Sequence, residues 1–243
     1  MVVLGKISKF KMKILAITLA RGGSKSIKDK NIKLLKNKPL IWYTIKEAKK
    51  SRYIKDYIVS TDSKKIKKIS QKYKAEVPFL RPKKLSADKT KSSLALIHAV
   101  KFMEKKNKLK YDIIVELMCT SPLKNYKDID NCISILIKKN ADSAIAVKQL
   151  SDHHPARIKK LLKGKIKNFC IKEKMESRRQ DLKPKAYIRA GAIYVLNRDY
   201  LLKMKHRYGS NKSYAYILPN NRAINIDEPN DFIMAETLIK RLK

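Results

Sequence analysis

Residues 19–32, LARGGSKSIKDKNI, set Gly22 and Gly23 beside Arg21, Lys25, Lys28 and Lys30, directly after the apolar run ILAITLA. Adjacent glycines let backbone N–H groups approach an anion closely, and guanidinium and ammonium groups neutralise it, so the chemistry on offer is a phosphate cradle. The alternative is a plain Gly-Gly turn in a protein that carries lysine throughout. Further along, Asp227 in INIDEPND precedes Pro229, where a helix can begin. Its carboxylate is either a helix-start cap or a ligand for a hard cation. Asp62 in VSTDS reads as a structural cap, and the adjacent His153 and His154 diverge in an extended segment, so they make no joint site.

Loops with such groups need rigid elements to hold them. Apolar runs at 14–20, 57–60, 76–80, 112–118, 143–147, 192–196 and 214–218 read as strands. Amphipathic stretches at 40–50, 63–74, 92–106, 126–139 and 230–242 read as helices. Their alternation predicts an α/β fold, a Rossmann-like, mostly parallel sheet with helices on both faces. Ligands of such sheets bind beyond the carboxyl ends of the strands, and LARGGSK, VSTDS and ELMCTSPLK each stand at one. The rhythm breaks at 150–189, a polar stretch without a clear period, as expected of an interaction arm. We expect residues 12–243 to form one domain carrying this arm, and residues 1–11 to be a loose extension before Met12.

Composition narrows the partners. The net charge of +38 would suit nucleic acid, but the 59 basic residues are 48 Lys and 11 Arg, spread over every predicted helix. In KKIKKISQKYK, Ile66, Ile69 and Tyr73 keep helical spacing, so the lysines form a solvated face and no specific nucleic-acid partner is expected. Cys119, Cys132 and Cys170 lack C-x-x-C spacing, which argues against a disulfide framework or zinc site and fits a reducing cytoplasm. ILAITLA follows basic residues as a signal peptide would, yet it is short and leads into Arg21-Gly22-Gly23, so it reads as a buried strand. No run is long enough to span a membrane.

The motifs LARGGSKSIKDKN, IVSTDS, RPKKLSADKTKSS, TSPLK, DHHPAR, RRQDL with GAIY, and NIDEPNDF follow one another from residue 14 to the C-terminus. In that order the chain resembles the acylneuraminate cytidylyltransferases, or CMP-nonulosonic acid synthetases. The resemblance implies transfer of CMP from CTP to the anomeric hydroxyl of a nine-carbon keto sugar acid, with Mg²⁺ and release of pyrophosphate. It also implies a homodimer in which the 150–189 arm crosses to the partner subunit. An eight-carbon 3-deoxy sugar acid is the alternative substrate, and a noncatalytic anion- or RNA-binding protein is the rival class.

Carried over position by position, the resemblance assigns the nucleotide to Leu19, Ala20, Arg21, Gly22, Gly23, Ser24, Lys25, Asn31, Arg81 and Ser92. Arg21 and Lys30, the latter as an exposed loop lysine, serve the triphosphate and count with Asp227 as the catalytic residues, while Asn31, Arg81 and Ser92 serve the cytosine; for Ser92 the alternative is a helix cap. Lys124, Arg157, Arg179, Tyr187 and Arg189 fall to the sugar acid. Arginine in a chain that favours lysine suits a carboxylate, which its planar fork grips with two hydrogen bonds. Asp227 would hold Mg²⁺ together with Asn225, which stands where many relatives have the first Asp of Asp-x-Asp. Two further departures lie toward the sugar: Met118-Cys119 in place of Gln-Pro, and Ala190 in place of Asn.

Overall fold

Ile14 and Ala16 pack on one side of their strand and Leu15 and Ile17 on the other, all of them buried, so this strand must lie inside a sheet covered on both faces. The computed structural model describes residues 12–24, 26–150, 152–174 and 177–241. The expected extension, residues 1–11, lies outside them.

The first half of the chain runs β1 (Ile14–Leu19), β2 (Leu34–Leu35), β3 (Lys38–Pro39), α1 (Leu40–Ala48), β4 (Asp56–Ser60), α2 (Lys64–Lys72), α3 (Ser92–Asn107) and β5 (Ile113–Leu117). It continues with α4 (Tyr126–Lys139), β6 (Ser143–Gln149), β7 (Lys159–Leu162), β8 (Lys165–Asn168), β9 (Tyr187–Asn197), α5 (Arg198–Met204), β10 (Ser213–Ile217) and α6 (Pro229–Arg241). The central sheet has the order β10-β6-β9-β5-β1-β4. β1 is parallel to β4 and β5, and β10 to β6, whereas β9 runs antiparallel to both of its neighbours.

Helices cover both faces, as expected. On one, Ile129, Cys132, Ile133 and Leu136 of α4 pack against Val115, Ala144 and Val195. On the other, Leu96, Ala99, Val100 and Met103 of α3 and Leu201 of α5 meet Leu15, Ile17 and Ile114. α4 starts with a reciprocal cap, Asn125 Oδ1 accepting the Asp128 N–H while Asp128 Oδ2 accepts the Asn125 N–H. The buried Asp128 carboxylate also accepts from Tyr216 and, through both of its oxygens, from Arg222. One carboxylate thereby fastens α4, β10 and the loop leading to α6.

Three elements differ from expectation. Residues 76–80 form no strand; only isolated bridges join Glu76 to Ile58 and Leu80 to Thr61. Pro78 has no N–H to give to a ladder, which keeps this segment an irregular edge. β9 extends well beyond 192–196, because its first residues pair with β6 alone, and the register shifts near Gly191, whose φ is +60°. Inside the arm β7 and β8 form a hairpin closed by Lys163 and Gly164, both at positive φ, the backbone that a two-residue turn between twisted strands requires.

Candidate active site

The carboxyl ends of β1 and β4 lie side by side, with the Ala20 N–H donating to Ser60 O over 3.0 Å. The turn after β1 is held from the β4 side: Asp62 Oδ1 accepts the Gly22 N–H at 2.9 Å. A Cβ on Gly22 would stand 3.0 Å from Ser63 Cβ, so a side chain there would press the two loops apart. Asp62 is therefore structural but not the cap expected of it: Ser63 caps α2, and Asp62 anchors the glycine turn from across the sheet edge. The Ser24 N–H turns back to Gly22 O, so two amides expected to face phosphate are already engaged, one by Asp62 and one within the loop.

Side chains supply what the backbone withholds. Arg21 pairs with Asp88 at 2.6 Å, and its carbonyl accepts from Asn31 Nδ2 at 3.0 Å. Lys30 differs from the exposed loop cation expected of it. It is 9% exposed, and its Nζ donates to Ile226 O at 2.9 Å and to Asp227 Oδ1 at 3.0 Å. It thereby ties the glycine loop to the segment before α6. Ile226 N–H in turn donates to Thr120 O at 2.7 Å, bringing in the loop after β5. Arg81 is held by its N–H on Thr61 O and its Nε on Ser86 Oγ. Burial pushes its guanidinium below the ordinary arginine value, with Asp62 pulling the other way.

These loops surround a cleft of about 500 Å³ lined by Leu19, Arg21, Ser24, Lys30, Asn31, Arg81, Ser92 and Asp227 among others. Ser92 does not cap α3; the position before the helix is Lys91, which makes no side-chain cap, and Ser92 faces the cleft. Ala20 and Gly22 shape the turn without lining the cleft, and Gly23 has nothing within 4 Å of its would-be Cβ. Lys25 lies outside the described residues. Asp227 is no cap either: Asp231 accepts the Asp227 and Glu228 N–H groups, leaving the Asp227 carboxylate to Lys30 and Asn225 Nδ2. Asn225 Oδ1 is buried without a partner, beside Gly191.

The residues expected to meet the sugar do not line this cleft. Arg157 donates to Ser177 O and faces Glu173, Arg179 pairs with Asp152, Tyr187 is exposed at the start of β9, and the Arg189 guanidinium stacks over Tyr208. Lys124 is the clearest correction. It is 1% exposed, and its three ammonium donors are spent on Thr44 Oγ1, Met118 O and Ser121 O, so it braces the loop after β5 instead of reaching for a ligand. His154 is likewise structural, bonded to Pro184 O and the Ala156 N–H. Sequence reasoning missed Glu116, a buried carboxylate on the cleft wall, although an acid inside the apolar strand IIVEL was a visible signal.

Residues 15–216 match the profile of a family described as Cytidylyltransferase. The chain is 33% identical over 236 residues to the pseudaminic acid cytidylyltransferase of Campylobacter jejuni strain 81-176, covering 94% of this chain and 97% of that one. It is 32% identical over 232 residues to the post-translational flagellin modification protein B of Campylobacter coli, covering 93% and 95%. Among solved structures, CMP:2-keto-3-deoxy-manno-octonic acid synthetase complexed with CTP shares the fold, with a TM-score of 0.69 at 15% identity, over 95% of this chain and all of the other. With the motifs in order, the loops gathered at the strand ends and a family match across most of its length, the chain belongs to the cytidylyltransferases.

Proposed function

We propose that this protein transfers CMP from CTP to the anomeric hydroxyl of a sialic acid-like nonulosonic acid, releasing pyrophosphate. The observation that carries the reading is the convergence of Arg21, Lys30, Asn31, Arg81 and Ser92 on one cleft at the strand ends. Asn31 and Arg81 offer an amide and a guanidinium for the acceptor-rich edge of cytosine. Arg21 and Lys30 place positive charge where the triphosphate must lie. In the reaction the sugar oxygen bonds to the α-phosphorus, the bond to pyrophosphate breaks, and the hydroxyl proton departs. Such a transfer needs alignment and charge stabilisation more than covalent help, which fixed cations in a narrow cleft provide.

Mg²⁺ belongs to this reading, and the residues fit it. Asp227 is a hard oxygen donor whose carboxylate is 66% exposed, and Asn225, which turns its Nδ2 to that carboxylate and keeps Oδ1 buried beside Gly191, supports it from behind. Among the described residues there is no group of three or more His, Cys, Asp or Glu that could hold a metal. One carboxylate is enough for such a cation when substrate phosphates and water complete its shell. When bound, Mg²⁺ would offset phosphate charge. Lys30, sharing Asp227 Oδ1, keeps that carboxylate oriented.

The same reading makes the protein a homodimer. Leu161, Leu162, Ile166 and Phe169 are strongly exposed on and beside the arm hairpin, an apolar surface suited to a second subunit. Tyr187, Arg189, Arg179 and Arg157, which stand away from the cleft of their own chain, then serve the sugar-acid carboxylate from the arm side. A cytoplasmic location follows from the use of CTP, and no helix among the described residues is long and apolar enough to cross a membrane. The test is incubation with CTP, Mg²⁺ and a panel of nonulosonic and eight-carbon sugar acids, with pyrophosphate as readout. Release with a nonulosonic acid is expected. No release with any sugar acid, alongside tight salt-sensitive RNA binding, would refute the assignment.

A further inference from the structure

Glu116 is an unusual occupant of a central strand. It sits in β5 between Ile17 of β1 and Tyr194 of β9, with its side chain 1% exposed. One carboxylate oxygen, Oε2, accepts from Arg207 at 2.8 Å. The other, Oε1, is buried and has no hydrogen-bond partner, yet Glu116 forms part of the cleft wall alongside Met118 and Thr120. A carboxylate oxygen is unfavourable to bury unless a donor completes it.

The surroundings say which part of a ligand supplies it. A carboxylate oxygen accepts, so it takes a hydrogen-bond donor and not a phosphate oxygen, while Arg207 already supplies the cation on the other oxygen. Arg207 packs over the Tyr194 ring at 4.4 Å, and Tyr194 stacks with Tyr208, whose ring carries the Arg189 guanidinium at 4.9 Å. Glu116 is thus joined, through stacked rings and cations, to β9, while the proposed function gives the triphosphate to Arg21 and Lys30 on the glycine loop. Cytosine is served instead by Asn31, Arg81 and Ser92, which come from other elements.

We propose that Glu116 Oε1 is a specificity determinant for the sugar acid, accepting a hydrogen bond from a hydroxyl or amide N–H of that substrate. The proposal rests on the CMP-transfer reading. It also gives Arg207 a role, that of holding the acid at the cleft wall by its other oxygen. A sugar acid with an apolar group at the contacted position would leave that oxygen unpaired and be rejected.

Steady-state kinetics of the full chain and of Glu116→Gln, with each substrate varied separately, test this. The amide keeps an oxygen for Arg207 and places an N–H₂ where Oε1 stood, opposing the substrate's donor. The KM for the sugar acid should rise about tenfold, the loss expected for one hydrogen bond to a charged group, while the KM for CTP changes less than about twofold. A parallel rise in the KM for CTP with relaxed choice of CTP over UTP would assign the oxygen to the cytosine amine and overturn the proposal. Unchanged constants with a lower Tm would reduce Glu116 to a structural partner of Arg207, which also overturns it. Should Glu116→Gln not fold, the double variant Glu116→Leu, Arg207→Met removes both buried charges together and carries the same expectation. A wild-type protein inactive with every sugar acid overturns the parent reading as well, a failure seen before any substitution is made.

Discussion

Replacing Lys124 by methionine keeps most of its volume and removes the buried ammonium. Burial pushes this lysine down from 10.5 to about 8, against the weaker pull of Cys119, Glu47 and Asp128. At ~1.4 kcal/mol per pH unit, that depression means the folded state disfavours the charged form by about 3 kcal/mol. Below about pH 8 the lysine is protonated in both folded and unfolded chains, and the penalty is present in full. Between about 8 and 10.5 the folded protein has released a proton that the unfolded chain still holds, so stability rises with pH through this window. Urea denaturation of wild type and Lys124→Met over this range isolates the effect, because other titrating groups cancel in the difference. The stability of wild type relative to the variant should grow by about 3 kcal/mol across the window. A flat difference would refute the buried-ammonium account. A raised KM for the sugar acid with no pH-dependent difference in stability would return Lys124 to the substrate.

Lys30→Ala removes a buried ammonium from Asp227 and leaves Ile226 O without its donor, so it should cost about 1–3 kcal/mol in urea denaturation and lower kcat at least about 100-fold. Lower stability with unchanged kcat would make Lys30 a tether alone. Gly191→Ala forces a side chain into a left-handed backbone and sets a Cβ 3.4 Å from Asn225 Oδ1, so a loss of about 1–2 kcal/mol is expected, read as a lower Tm. An unchanged Tm would show that the register shift in β9 tolerates a side chain.

Much of this architecture is legible in single segments. ILAITLA and IIVEL are too apolar for anything but covered strands, and the spacing in KKIKKISQKYK marks one buried helical face. The cleft residues were legible because they cluster in short motifs at strand ends, where topology alone brings loops together. β9 was only half visible: YIRAGAIYVLN begins polar because its first residues border the arm, and only its second half enters the core. The arm hairpin hid because its turn is Lys163-Gly164, where Asn-Gly would have announced it. Lys30 and Lys124 look like surface lysines in a chain full of them; Lys30 is held by Ile226 and Asp227 far along the sequence, and Lys124 by its own loop together with distant Thr44. Glu116 with Arg207, and Asp128 with Arg222, are likewise joined by the fold and not by any local pattern.

The placement of β9 between β5 and β6 bears on how the chain is made. β5, α4 and β6 leave the ribosome in succession, yet the two strands cannot pair, because a third must fit between them. Until the arm has been synthesised and β9 follows it, the nascent sheet stays split, with two apolar inner edges open to other chains. At ~5–20 residues per second, that interval lasts roughly 2–10 s. The surface most in need of a chaperone is therefore the central seam of the sheet. Ribosome-bound chains stalled within the arm would carry that seam open, and the arrival of β9 closes both edges in one event.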